Sequence, residues 1–290
     1  SGTEKTVMKL GVHVLPKFTR DSTDRNRTSP FAFTGNKFEF RMLGSANSIA
    51  CTNIMLNAAV AESLRQYADR LEGAVDFETA LHDLIREVIR AHKRIIFNGN
   101  GYDEDWIREA TEVRGLLNLR TTPDALPTIL EKKNVDMLTS LKIFTLPEIR
   151  SRYEITLENY CKTVNIEGLT MVDMARKEIL PAVEAYLGNL SGTVAAKTAA
   201  VPGLACKYEK DLISKLSKLA DEISDAASSL DTTLIRLKAI PDVTDAAYVI
   251  RDVVLQKMAE LRVVCDEAES ITADKYWPFP TYGDLLFGVR

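Results

Sequence analysis

Two apolar heptad runs of similar length constrain the fold of this chain more than any other feature. The runs consist of Leu212, Leu216, Leu219, Ile223, Ala226, Leu230 and Leu234, and of Ala247, Ile250, Val254, Met258, Leu261, Cys265 and Ala268. Apolar residues at alternating spacings of three and four predict helices that bury one stripe against a neighbour. Because the turn at Pro241-Asp242 is short, the two helices must run antiparallel.

A third long helix is predicted ahead of this pair. Apolar residues at helical spacing begin at Leu146 and continue to about Leu187, with a possible break near Gly168. Residues 188–203 are rich in small side chains and fit either a loop or a helix extended through its alanines. The sequence therefore predicts a mainly α fold that ends in a long antiparallel helical bundle.

Shorter helices are predicted between residues 53 and 125. Asn53 is a candidate N-cap for a helix to about Leu71, and Asp76 opens a second amphipathic helix to about Phe97. Further helices are predicted from Trp106 to about Gly115 and from Thr122-Pro123. The glycines of Asn98-Gly-Asn-Gly101 indicate a helix stop, because the lysine and serine of a phosphate-binding loop are absent there. We expect the aromatic stretch Tyr276–Tyr282 to pack back on the helices.

A β-hairpin is predicted near the N-terminus. Gly35-Asn36 is a typical two-residue turn between two short apolar runs. That turn pairs Phe31 with Phe40, Ala32 with Glu39 and Phe33 with Phe38. Since strand side chains alternate between two faces, the four phenylalanines share one face of the hairpin.

The opposite face of the hairpin is charged. It carries Lys37, Glu39 and Arg41 in a row, opposite the small residues Thr34 and Ala32. Such a face is either a site for a charged ligand or simply a solvated strand face, and alternating charge alone does not separate the two. The phenylalanines favour a site, because a register slip of one residue would bury the charges.

This hairpin resembles a signature of the type III, long-chain glutamine synthetases of bacteria. The similar stretch runs from Asn26 to Arg41 without a gap. Other stretches similar to the family are Asn98–Tyr102, Gly115–Thr122, Ser151–Glu154, Glu158–Cys161 and Tyr276–Pro280. The resemblance covers nearly the whole chain and implies that the hairpin is part of a truncated catalytic sheet.

The resemblance also implies roles for four residues. Arg27 would stabilise the phosphoryl group during transfer, and Glu39 would be a ligand of Mg²⁺ or Mn²⁺. Arg41 would hold a carboxylate of the glutamate substrate, and Lys37 would lie near the phosphates of ATP. One departure from the family is clear: shorter glutamine synthetases carry another arginine where this chain has no basic residue between Arg27 and Lys37.

Composition excludes several other classes of protein. The 290 residues have a net charge of −4 and a pI near 5.6, so no electrostatic footprint for nucleic acid is present. No apolar run reaches the roughly 18 residues that a membrane span needs. Cys51, Cys161, Cys206 and Cys265 are widely spaced, which predicts buried reduced thiols in a cytoplasmic protein.

Two functions from different classes fit this sequence. The resemblance implies the C-terminal part of an ATP-dependent glutamate–ammonia ligase, which binds glutamate, ammonia and ATP and assembles as a homo-oligomeric ring. Residues 1–145 would then belong to the catalytic domain and residues 146–290 would form a bundle extension with an aromatic tail. Ser1-Gly2 is typical of a residue pair left by tag cleavage, so we expect a fragment that is inactive alone. The alternative is a helical oligomerisation module without catalysis, because residues 146–272 show no chemistry of their own.

Overall fold

The computed structural model describes residues 7–8, 18–19, 31–33, 37–41, 44, 48–97, 101 and 103–288. The chain divides into two compact units, Ser1–Asn118 and Leu119–Arg290. The first unit holds the described strands together with helices, and the second is helical throughout its regular elements. The predicted mainly α fold is therefore confirmed.

Four short strands of the first unit form two antiparallel pairs. Strands β1 (Val7–Met8) and β2 (Phe18–Thr19) pair with each other, and β3 (Phe31–Phe33) pairs with β4 (Phe38–Phe40). The second pair is the predicted hairpin. The first pair was not predicted, because two residues per strand are too few to show an alternating pattern.

Two helices follow, joined by a short turn. Helix α1 spans Ala50–Leu71 and α2 spans Phe77–His92. The predicted cap at Asn53 is wrong: α1 begins three residues earlier, where the Ala50 N–H donates to Ser48 Oγ at 3.2 Å. Asp76 is the N-cap of α2 as predicted, and its carboxylate accepts the Thr79 N–H at 3.2 Å.

The end of α2 differs from its prediction. The α-helix stops at His92, and a 3₁₀ turn, Lys93–Ile95, continues it. Helix α3 (Glu104–Arg108) then runs into a π-helical turn, Glu109–Val113. The helix stop was predicted at Asn98-Gly-Asn-Gly101, and residues 98–100 of it lie outside the described residues.

The second unit opens with short helices. They are α4 (Thr122–Ala125), a 3₁₀ turn (Leu126–Leu130) and α5 (Lys132–Ser140). The long helix that follows begins at a capping box, in which the Glu148 carboxylate accepts the Thr145 N–H at 2.7 Å. Hydrogen bonds from both the backbone N–H and the side chain of Thr145 lower the pKa of Glu148.

The long helix is continuous over 55 residues. It consists of α6 (Leu146–Met174), a π-helical turn (Ala175–Ile179) and α7 (Leu180–Ala200). The predicted break near Gly168 is wrong, as is the loop alternative for residues 188–200. Gly168 is buried against Leu234, where a Cβ would lie 3.1 Å from the leucine Cδ1, so this glycine allows close helix packing.

Helix α8 is the centre of the bundle. It spans Lys207–Leu237 and packs against α6, α7 and α10 (Leu255–Ile271). Between α8 and α10 lie α9 (Val243–Val249) and a π-helical turn, Ile250–Val254. The fully buried residues of this core include Leu216, Ile223, Leu230, Leu234, Ile250, Val254 and Leu261. Both predicted heptad runs are thus confirmed as core-facing stripes.

The aromatic tail packs on the bundle as predicted. Trp277 and Phe279 lie against the core, and the ring of Tyr276 lies 5.2 Å from that of Tyr186 on α7. A short last helix, α11 (Tyr282–Phe287), follows, and Leu285, Leu286 and Phe287 on it are exposed.

The four cysteines are free thiols, in agreement with the prediction. Cys206 and Cys265 are buried and Cys161 is half-buried, but Cys51 is exposed on α1. The expectation of four buried thiols is therefore wrong at Cys51.

Candidate functional site: the charged hairpin

The hairpin register places charged and aromatic residues in alternation, as predicted. Phe31 pairs with Phe40, Ala32 with Glu39 and Phe33 with Phe38. Glu39 therefore lies between two phenylalanines that point to the opposite face. The predicted turn, Gly35-Asn36, lies outside the described residues.

The aromatic face is held by ring stacking but is not covered. The rings of Phe31 and Phe38 lie 5.1 Å apart and nearly parallel. Phe31, Phe38 and Phe40 nevertheless remain exposed. The aromatic face of the hairpin is therefore stacked and partly open to solvent.

Glu39 and Arg41 form an ion pair on the charged face. The Arg41 guanidinium donates from Nη2 and Nε to Glu39 Oε2, at 2.6 and 3.1 Å. The Arg41 side chain is 29% exposed and the Glu39 side chain 47% exposed. Charge-assisted hydrogen bonds of this kind orient both side chains. The carboxylate and the guanidinium are therefore held in a defined orientation relative to each other at the end of β4.

Of the other two predicted site residues, Lys37 is described in the structure and Arg27 is not. Lys37 directly precedes β4 and is exposed. Arg27 lies outside the described residues, so its role in stabilising the phosphoryl group stays a prediction.

The described residues do not by themselves fit a divalent metal ion. Glu39 offers a carboxylate, the ligand type that Mg²⁺ and Mn²⁺ prefer, but such an ion needs several oxygen ligands. In the described part of the chain, no three histidine, cysteine, aspartate or glutamate side chains come together as a metal site.

A polar cluster in the second unit was not predicted. The Arg251 guanidinium bonds both carboxylate oxygens of Asp252, at 2.6 and 2.8 Å, and also contacts Asp124. The same guanidinium stacks over the Tyr248 ring at 4.7 Å, and the Tyr248 hydroxyl donates to the Pro123 carbonyl at 3.3 Å. The hydrogen bonds from Arg251 lower the pKa of Asp252. Since Asp124 and Arg251 are 127 residues apart, no local sequence pattern could have indicated this contact.

This cluster fits a structural role. Arg251 joins the π-helical turn Ile250–Val254 to the short helix α4, and its charge is balanced by two carboxylates. The nearby Tyr160 hydroxyl is buried without a hydrogen-bond partner among the described residues, and burial raises its pKa. Because the charges of this cluster are balanced within it, the hairpin remains the candidate site.

Comparison with known proteins identifies the class of protein to which this chain belongs. Residues 80–198 match the family model of the glutamine synthetase C-terminal domain. Over 94% of its length the chain is 39% identical to a glutamine synthetase of Butyrivibrio fibrisolvens. It is 36% identical over 97% of its length to a type-3 glutamine synthetase of Dictyostelium discoideum. It is 34% identical over 98% of its length to a glutamine synthetase of Bacteroides fragilis (strain YCH46).

The chain belongs to the glutamine synthetase family. It spans 39–40% of the length of these curated relatives, and the matches fit the C-terminal portion of a type-3 member. No helix in the described part of the chain is long and apolar enough to cross a membrane.

Proposed function

We propose that this chain is the C-terminal part of an ATP-dependent glutamate–ammonia ligase, which makes glutamine by way of γ-glutamyl phosphate. The observation that carries the proposal is the Glu39–Arg41 pair on the charged face of the hairpin. The names of the relatives support the reaction, since each is a glutamine synthetase. We propose further that the parent protein is cytoplasmic and forms a homo-oligomeric ring.

The proposed reaction has two steps. The γ-carboxylate of glutamate attacks the terminal phosphorus of ATP, which forms an acyl phosphate and releases ADP. Ammonia then attacks the acyl carbon, inorganic phosphate leaves, and the nitrogen loses a proton to give the amide of glutamine. Phosphoryl transfer depends mainly on in-line positioning and on neutralising oxygen charge, which suits a site built from arginine, lysine and carboxylate groups.

Three cationic residues would bind anionic groups in this reaction. Arg41 would hold a carboxylate of glutamate, because a guanidinium has five donors and can serve two carboxylates at once. Lys37 would lie near the phosphates of ATP, and Arg27 would stabilise the phosphoryl group in transit. Glu39 orients Arg41 through the two hydrogen bonds described above.

The parent enzyme would need ATP together with Mg²⁺ or Mn²⁺. When bound, such an ion neutralises phosphate oxygens. Glu39 would supply one ligand, and the remaining ligands would come from outside the described residues.

Residues 1–145 would belong to the catalytic part and residues 146–290 to a bundle extension, so the 290 residues alone would be inactive.

The decisive experiment compares Glu39→Ala and Arg41→Ala in the full-length ligase that contains this chain. Loss of one positioned charge in such a site typically lowers turnover by about 100-fold or more. We therefore expect isotope-labelled γ-glutamyl transfer to fall at least that far in both variants, while assembly is unchanged. The 290-residue chain by itself should form no glutamine in a single-turnover assay with ATP.

Glu87→Ala is the matched control. Glu87 pairs with Arg70 at 2.6 Å, the same distance as Glu39 to Arg41, but it lies on α2 and not on a hairpin strand. Its loss should leave activity unchanged. If Glu39→Ala and Arg41→Ala both stay active, the charged face is only a solvated strand, and a helical assembly module becomes the better account.

A further inference from the structure

Two helix ends of the first unit contact each other through a pair of arginines. Helix α2 continues into the 3₁₀ turn Lys93–Ile95, and α3 continues into the π-helical turn Glu109–Val113. The last carbonyl groups of a helix have no N–H partner within that helix, so they need donors from elsewhere. Arg94 and Arg114 supply such donors to each other's helix end.

Arg114 binds the end of the first helix. Its Nη1 donates to the carbonyl oxygens of Ile96 and Arg94, at 2.8 and 3.2 Å. Its Nε and Nη2 donate to Glu109 Oε1, at 2.8 and 2.6 Å, and its side chain is only 24% exposed. The Glu109 carboxylate therefore orients the guanidinium, and the negative end of the helix dipole favours a cation at that place.

Arg94 makes the contact in the reverse direction. Its Nη1 donates to the Arg114 carbonyl at 3.4 Å, a longer and weaker bond than those that Arg114 makes. Gly115 follows with φ of +63°, the left-handed conformation with which helices commonly end and which favours glycine. Each helix end is thus capped by an arginine from the other.

An aromatic pair joins the same two segments. The rings of Phe97 and Trp106 are stacked with their centroids 3.6 Å apart. The Arg114 guanidinium lies 4.9 Å from the centre of the Trp106 ring, within the range of a cation–π contact. Arg114 therefore contacts the second segment through both Glu109 and Trp106 while it caps the first.

These polar and aromatic contacts take the place of an apolar core. In the described residues 93–97 and 103–116, no side chain is buried. The two helix ends are consequently connected mainly by groups that remain partly in contact with water.

We propose that Arg94 and Arg114 form a two-way clasp, through which the two helix ends open and close as one local unit. The clasp is a conformational device of the fold, and it does not depend on the proposed reaction. Arg114 is its main member, because it makes more and shorter hydrogen bonds than Arg94. Opening of the clasp releases both segments together, although Arg94 and Arg114 are 20 residues apart.

Hydrogen–deuterium exchange of the 290-residue chain tests the clasp. One reporter lies in each segment: the Ile96 N–H donates to the Lys93 carbonyl at 3.1 Å, and the Leu116 N–H donates to the Ala110 carbonyl at 2.8 Å. Both amides should be protected in the wild type. Exchange of either amide at the rate of an open chain would overturn the proposal, because the clasp would then not be closed.

Arg114→Lys is the informative variant. Lysine keeps the charge and the helix propensity, but its compact ammonium group lacks the planar fork that serves several acceptors at once. Since a hydrogen bond to a charged group typically shifts an equilibrium by about tenfold or more, exchange in residues 93–97 and 104–116 should rise by about tenfold in both segments. Exchange in α8 should not change. A rise confined to residues 104–116 would show two independent helix ends and overturn the proposal.

Arg94→Lys tests the second half of the clasp. It should raise exchange in both segments by a smaller factor, because the bond that it removes is longer. The double variant should exchange no faster than Arg114→Lys alone, since the contact of Arg94 is already lost when the clasp is open. Additive effects of the two substitutions would contradict a shared unit.

Arg86→Lys is the matched control. Arg86 binds Asp83 at 2.9 Å within α2, and its side chain is 61% exposed. Its replacement should leave exchange in both segments unchanged. An equal rise in this variant would attribute the effect to any loss of an arginine from this region and overturn the clasp.

Discussion

At the scale of single residues, the hairpin depends on the alternation of side chains along β4. Glu39 is separated from Arg41 by one residue, so both side chains extend from the same face and can form their ion pair. Phe40 between them extends from the other face. A register slip of one residue would move both charged side chains to the aromatic face. This cost disfavours other registers, although the strand is short.

The cysteines show how burial changes the reactivity of residues that have the same side chain. Cys265 is 8% exposed in the bundle core, and burial raises its pKa to about 11. Cys51 is exposed on α1. The thiolate is the reactive form, so a raised pKa keeps Cys265 protonated and unreactive until the solution becomes strongly alkaline.

We predict that a thiol reagent at pH 8 modifies Cys51 rapidly and Cys265 at least about 100-fold more slowly, because the thiolate fraction falls by that factor when the pKa rises from its ordinary value to about 11. Stopped-flow absorbance with a disulfide reagent, followed by peptide mapping, measures both rates. Cys51→Ser should remove the fast phase. A fast phase that persists in this variant would contradict the burial pattern.

At the scale of elements, the 55-residue helix is continuous through positions that its sequence marks as weak. Gly168, Gly188 and Gly192 all lie within it. Helix propensity alone disfavours each glycine, but packing along α8 holds the helix together. The π-helical turn Ala175–Ile179 precedes Pro181, which has no N–H to donate to the preceding turn.

We predict that Gly188→Ala raises the free energy of unfolding by about 0.5–1 kcal/mol. Alanine loses less backbone entropy, and apart from the adjoining residues and backbone of its own helix no atom lies within 4 Å of the new Cβ. Gly168→Ala should yield a smaller change, since its Cβ would lie 3.1 Å from Leu234 Cδ1. Urea unfolding of both variants supplies the comparison. Equal gains would show that Leu234 moves aside freely.

At the scale of the whole molecule, the two compact units differ in how they are stabilised. The unit Leu119–Arg290 contains a continuous core along α6, α7, α8 and α10. In the described part of the other unit, two side chains are buried. Stability should therefore be distributed unevenly along the chain.

Limited proteolysis tests this difference. We predict that the first cuts fall within residues 48–118 and leave residues 119–290 as a resistant fragment, because cleavage follows local opening. Mass spectrometry of the products identifies the sites. Leu230→Ala should make the fragment sensitive as well, since Leu230 is fully buried and its truncation costs about 2–5 kcal/mol. Equal lifetimes of the two units would contradict the prediction.

The sequence by itself determined the features that depend on local periodicity. The two heptad runs, the hairpin register from Phe31 to Phe40 and the cap at Asp76 follow from spacings of a few residues, and the structure agrees with each. The roles of Arg27, Lys37, Glu39 and Arg41 follow from family resemblance and remain predictions. Local spacing is sufficient here because neighbouring side chains alone define which face of a helix or strand is apolar.

Only the tertiary structure decided where distant elements meet. The long helix continues through Gly168 because Leu234 of α8 packs against it, and Arg251 meets Asp124 because the bundle brings α4 beside the turn at Ile250–Val254. The exposure of Cys51 likewise depends on which elements pack against α1. Burial and long-range ion pairs are properties of packing between elements, and a one-dimensional pattern does not specify which elements pack.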